Sequence, residues 1–208
     1  MDLPSPALWD VFADGTRVVT SHGAATSRTL DLGYLTLPTG RIVLSDPILD
    51  PWNEPFTVRV APGAYPVFLA VVQDDAALVM VSFGGDPPVS WRSADPPTFG
   101  VDSATGCLMD QKVCHFLRRK AEADRYERYA GKFREALDEA DGLWANYCLD
   151  RETGANIILF RTWGGDGYFP SFFGYTADGE PTCLITDMYL SLETVIGVQT
   201  EAEPDAPV

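Results

Sequence analysis

The chain has 208 residues, 46% of them apolar and 12% aromatic, with 15 Lys and Arg against 30 Asp and Glu and a net charge of −15. That length and apolar content suffice to bury a core and exclude disorder outside the ends, so one globular domain is expected over residues 1–200 and a flexible acidic tail over 201–208. The acidity excludes direct nucleic-acid and membrane-surface binding and leaves a small molecule, a basic protein surface or a divalent cation as partners, beside the bland reading that it only confers solubility.

In chain order, Met1-Asp2-Leu3-Pro4-Ser5 carries neither a basic leader nor an apolar run, and no later run approaches the roughly 18 residues that span a bilayer. The expected compartment is the cytoplasm. Short apolar runs cut by Gly, Pro and Asp then predict strands over 29–37, 41–45, 56–61, 65–73, 77–83 and 89–93. Phe56-Thr57-Val58-Arg59-Val60 alternates with period two, as an antiparallel strand with one wet face would. The run 67–72 is apolar throughout and reads as a central strand. Asp74-Asp75 marks a hairpin turn.

The spacing of Met109, Val113, Phe116 and Leu117 predicts one amphipathic helix; that of Tyr126, Tyr129, Phe133, Leu137, Ala140 and Trp144 predicts a second. The helical segment is thus placed at about 106–148. Residues 110–141 hold eight bases and eight acids, so the net charge falls on the rest of the chain. Asp124 and Arg128 fit an i,i+4 helical pair, and the basic cluster reads mainly as a solvated helix face. Past Glu152-Thr153-Gly154, strands resume over 156–163, 168–175 and 182–190, with Ala177-Asp178-Gly179 as a hairpin. Strands, then two helices, then strands, without βαβ alternation, give an α+β fold built mainly of antiparallel sheet. Cys107, Cys114, Cys148 and Cys183 form no Cys-x-x-Cys pair, which excludes a zinc knuckle or thioredoxin motif and predicts buried thiols.

Four ordered motifs carry a resemblance. They are Leu32-Gly33-Tyr34 through Pro38-Thr39-Gly40-Arg41-Ile42-Val43 with Asp46-Pro47; Pro55-Phe56 through Pro62-Gly63-Ala64-Tyr65-Pro66-Val67; Gly100-Val101-Asp102-Ser103-Ala104-Thr105-Gly106-Cys107-Leu108-Met109-Asp110; and Gly165-Asp166-Gly167-Tyr168-Phe169-Pro170 through Gly174-Tyr175. Trp144-Ala145-Asn146 and Thr186-Asp187 fit as well. Over about 31–190 the chain resembles a bacterial family catalogued as domain of unknown function 4241. The resemblance implies one intact domain and transfers no catalytic residue. The chain departs from the pattern at Ala104, where a second glycine is usual, and at Met188, where an aromatic commonly follows the aspartate. Ala104 restricts the backbone of its turn.

Two loops are the candidate site. Residues 102–110 read as a strand end entering a helix start, with Asp102 or Ser103 as N-cap; Ser103 and Thr105 would bind a ligand, and Asp102 and Asp110 would converge on a cleft. Residues 163–170 place Gly165 and Gly167 around Asp166, with Trp163 and Tyr168 as flat apolar walls. Plain capping and a tight connection are the structural alternatives. Asp187, inside an apolar strand and sharing a face with Ile185 and Tyr189, is a further candidate because an unpaired buried carboxylate is costly. Asp102, Asp110, Asp166 and Asp187 are therefore the catalytic candidates, and the first three also the candidates for holding Mg²⁺ or Ca²⁺. No nucleotide motif is present. His22 and His115 offer no dyad; His115 points about 100° away from Cys114 on a helix.

These residues support a binding or regulatory module whose cleft lies between the two loops. The alternatives are a carboxylate-based, metal-assisted hydrolase and an acidic inhibitor of a basic partner.

Overall fold

The computed structural model describes residues 7–20, 23–84, 86–140, 142–162, 164–188 and 197–199. The expected acidic tail, Trp163 and His22 lie outside them. Helix α1 (Ala7–Asp10) leads into β1 (Arg17–Thr20) and β2 (Gly23–Thr26), which pair with β13 (Gly197–Gln199) as a small antiparallel sheet.

A six-stranded antiparallel sheet follows, built from β3 (Arg28–Leu37), β5 (Gly63–Val72), β6 (Asp75–Ser82), β12 (Pro181–Asp187), β11 (Gly167–Tyr175) and β7 (Ser90–Val101), in that spatial order. A second antiparallel sheet runs β4 (Ile42–Ser45), β8 (Thr105–Asp110), β10 (Ala155–Arg161), β9 (Trp144–Asp150). Helices α2 (Gln111–Glu122) and α3 (Glu127–Glu139) connect β8 to β9.

Side-chain alternation stacks these elements in layers. Along β10, Ile158 and Phe160 face the larger sheet and pack with Leu69, Val81, Phe169 and Phe173, while Ile157 and Leu159 face the helices and pack with Leu117, Phe133 and Leu137. A strand buried on both faces has no polar side, which is why Ile157-Ile158-Leu159-Phe160 is continuously apolar. The outer face of the larger sheet, with Leu78, Met80, Phe172 and Ile185, is covered by Leu8, Val11 and Val18 of the N-terminal layer. The chain is thus sheet-dominated, with two helices between strands.

The 65–73 and 77–83 strands form the β5–β6 hairpin, and β5 is interior as its apolar run requires. Its turn is Gln73-Asp74, both in the left-handed region (φ 55° and 66°), the geometry of a two-residue type I′ turn, so Asp75 already belongs to β6. Strand β7 continues past residue 93 through Pro96 and Pro97. It is an edge strand, where a missing N–H breaks no ladder.

The helical boundaries need correction. Residues 105–110 and 144–150 are strands, and helix occupies only Gln111–Glu122 and Glu127–Glu139. Met109 extended the helical periodicity by coincidence, since the fully buried β8 has no period of its own, and Trp144 of β9 matched the helical spacing by chance. Asp124, at φ 54°, sits in the turn between the helices, so it forms no helical pair with Arg128; the ion pair on this face is Arg134–Glu127 at 3.0 Å. Residues 56–60 alternate in burial, yet join no sheet. Phe56 N–H donates to the Ile42 carbonyl, Val60 N–H to Gly40, and Thr57 N–H to Asp95, so the segment stitches β4 to β7. No helix among the described residues is long and apolar enough to cross a bilayer.

Candidate functional site

The loop joining β7 to β8 is gripped from two sides. Asp46, 2% exposed, accepts four hydrogen bonds from it and from its own turn: Oδ1 accepts the Ile48 and Leu49 N–H groups (2.8 and 3.0 Å) and the Ser103 hydroxyl (2.7 Å), and Oδ2 accepts the Asp102 N–H (2.9 Å). From the other side Asp166 Oδ1 accepts the Ala104 N–H at 3.0 Å, and Thr162 N–H donates to the Ala104 carbonyl at 3.2 Å. The two sequence-predicted loops therefore meet. Ala104 holds φ 53°, a conformation that costs an alanine about 1 kcal/mol or more.

The four candidate carboxylates do not share one cleft. Asp102 is exposed on the gripped loop, and Asp166 lies beside it as the anchor of Ala104. Asp110 closes the far end of β8, roughly 17 Å along the strand. There it is fully buried as the N-cap of α2, accepting Lys112 N–H (2.7 Å), Thr39 N–H (3.0 Å) and the Thr39 hydroxyl (2.7 Å). The N-cap is thus Asp110, and neither Asp102 nor Ser103 begins a helix. Asp187 is buried at the end of β12 opposite Leu78, on the outer face of the larger sheet. Among the described residues no three His, Cys, Asp or Glu side chains group as a metal site, and Asp102, Asp110 and Asp166 are split between the two ends of β8.

Beside the gripped loop opens a cavity of about 360 Å³. Ser103 and Thr105 line it, as do Arg161 from the end of β10, Arg134 and Asp138 from α3, and the apolar Ile48, Leu49 and Leu137. Arg161 is half-buried and bonded only to neutral oxygens: Nε donates to the Gly142 carbonyl at 3.0 Å and Nη1 to the Thr105 hydroxyl at 3.3 Å, which in turn donates to the Ser103 carbonyl at 3.2 Å. Tyr126, at the start of α3, donates its hydroxyl to the Pro47 carbonyl, and burial pushes that phenol's pKa up. This bond ties the helices to the Asp46 turn.

Tyr168 is 79% exposed on β11 over Gly100, Gly165 is half-buried beside Ala104, and Gly167 pairs with Val101; none of the three lines the cavity. Cys107, Cys114 and Cys183 are buried, with burial raising their thiols to about 12, 11 and 11, whereas Cys148 is exposed, contrary to the expectation of four buried thiols. His115 is exposed and Cys114 buried, on different faces of α2.

Sequence reasoning passed over Asp46, Arg134 and Arg161. A cation ending the apolar run of β10 was the available signal for Arg161, because a charge next to a buried strand needs an acceptor. No curated protein and no solved structure matches the chain. The family described as protein of unknown function (DUF4241) matches residues 35–186, which covers the gripped loop, the Asp46 turn, α2, α3 and the Gly165-Asp166-Gly167 turn. The chain belongs to the DUF4241 family.

Proposed function

We propose that the protein is a binding module that holds a small monocarboxylate, alone or within a zwitterion, in the cavity beside the Ser103–Thr105 turn. The observation that carries the reading is Arg161, a half-buried guanidinium with no carboxylate partner among the described residues, at the wall of a cavity that a second arginine also lines. Guanidinium forks bind carboxylates in two parallel hydrogen bonds, which makes an arginine of this kind a recognition group. Asp138 in the same wall repels a dianion and leaves room for a ligand ammonium, and Ile48, Leu49 and Leu137 suit an apolar ligand body.

Binding is favoured over hydrolysis because Asp138 is the one carboxylate among the residues lining the cavity. Asp166 is engaged by Ala104, and an acid–base pair needs two carboxyl groups roughly 5–9 Å apart in one pocket. Four unpaired cysteines support a reducing, cytoplasmic setting.

The test is thermal unfolding of the wild type, Arg161→Gln and Arg134→Gln against a panel of mono- and dicarboxylates and amino acids. A ligand at a hundredfold excess over its dissociation constant adds about 2.7 kcal/mol. The expected result is a monocarboxylate that stabilises the wild type and is weakened by both substitutions. Equal stabilisation of the wild type and both variants, or none by any panel member, overturns the reading.

A further inference from the structure

We propose a second, separate small-molecule site, specific for a small hydrophobic monocarboxylate, in the cavity between α2 and the β9–β10 hairpin. The cavity has a volume of about 230 Å³, below the range of roughly 300–1,000 Å³ that suits drug-sized ligands, so its occupant is small. Its lining divides by chemistry. Val113, Phe116, Leu149 and Ala155 form an apolar wall, and Lys112, Arg119 and Asp150 carry its charges.

The placement follows from the helix. Lys112, Phe116 and Arg119 are spaced four and three residues apart, so α2 sets two cations on either side of an aromatic ring along one stripe. Neither cation forms an ion pair among the described residues. The nearby acid is already engaged by its own turn: Asp150 Oδ1 accepts the Glu152 N–H at 2.9 Å and Oδ2 the Thr153 hydroxyl at 2.7 Å. Two cations against one internally satisfied acid leave a local positive excess, in a chain whose net charge is −15. An anion with an apolar body matches both halves of the lining, and one negative charge suffices to balance the excess. The site shares no lining residue with the cavity beside Ser103, so it stands or falls independently of that reading.

Ligand-observed NMR titration with benzoate and hexanoate, and with neutral benzamide as control, tests the proposal on the full chain. Arg119→Gln and Lys112→Gln remove exposed side chains and leave the apolar wall in place. Saturable binding of either acid to the wild type is expected, about tenfold weaker in each variant, unchanged in Arg161→Gln, with benzamide weak throughout. No saturable binding of either acid overturns the proposal. So does binding that survives both substitutions on α2, or binding that is lost in Arg161→Gln and therefore belongs to the other cavity.

Discussion

At the scale of single residues, the buried Asp46 holds the candidate site together. Its four accepted hydrogen bonds join the 46–50 turn to the loop at Asp102 and Ser103. Asp46→Asn keeps the volume but puts an NH₂ group opposite an N–H donor, since one end of the amide must replace an oxygen that accepts. Hydrogen bonds to a charged group contribute about 1.5–3 kcal/mol each, so a loss of about 2 kcal/mol or more in urea unfolding is expected. An unchanged midpoint would show the turn to be held by packing alone. The residue belonged to a quoted motif, yet nothing local in Asp46-Pro47 announced its role, because two of its partners lie far along the chain. The Ala104 turn was more legible: the resemblance to the family marked Ala104 as a restricted backbone position, and the restriction is a positive φ.

At the scale of elements, what could be read depended on whether turn signals mark an element's ends. Strands β5, β6, β11 and β12 were found because apolar runs and hairpin turns bound them. Strands β8 and β9 were missed: Met109 stands four residues before Val113 and Trp144 seven after Leu137, and both continue the helical spacing by accident. The same error placed Asp102 and Asp110 on one cleft, when a strand separates them. Strand β8 also carries a glycine packed against two aromatic rings, one of its own sheet and one of the larger sheet. A Cβ on Gly106 would lie 2.6 Å from the Phe160 ring and 3.1 Å from Phe99. Gly106→Ala therefore must displace rings in a packed core. A destabilisation of about 1–3 kcal/mol is expected, measured by chemical denaturation. A neutral result would mean that the Phe160 and Phe99 rings shift at no cost.

At the scale of the whole molecule, the layers sort the four cysteines. Cys107 and Cys114 lie between the smaller sheet and the helices, Cys183 lies between the larger sheet and the N-terminal layer, and Cys148 is exposed on the edge strand β9. A disulfide-exchange reagent should therefore label one thiol rapidly in the folded protein and the other three only as it unfolds. The same burial has a pH consequence. Desolvation raises Cys107 from an ordinary 9.0 to about 12, and Cys114 and Cys183 to about 11. Above pH 9 the unfolded chain releases these protons while the folded chain keeps them, so stability is complete below the unfolded value and falls as pH rises toward the folded ones. The guanidinium midpoint should drop between about pH 8 and about pH 10.5, and the drop should shrink in Cys107→Ala. Four thiols reacting at one rate in the native state, or a pH-independent midpoint, would contradict this layered burial. It is the layers that fix which charged groups meet an opposite charge, and they leave Arg161 and Arg119 without a carboxylate partner among the described residues.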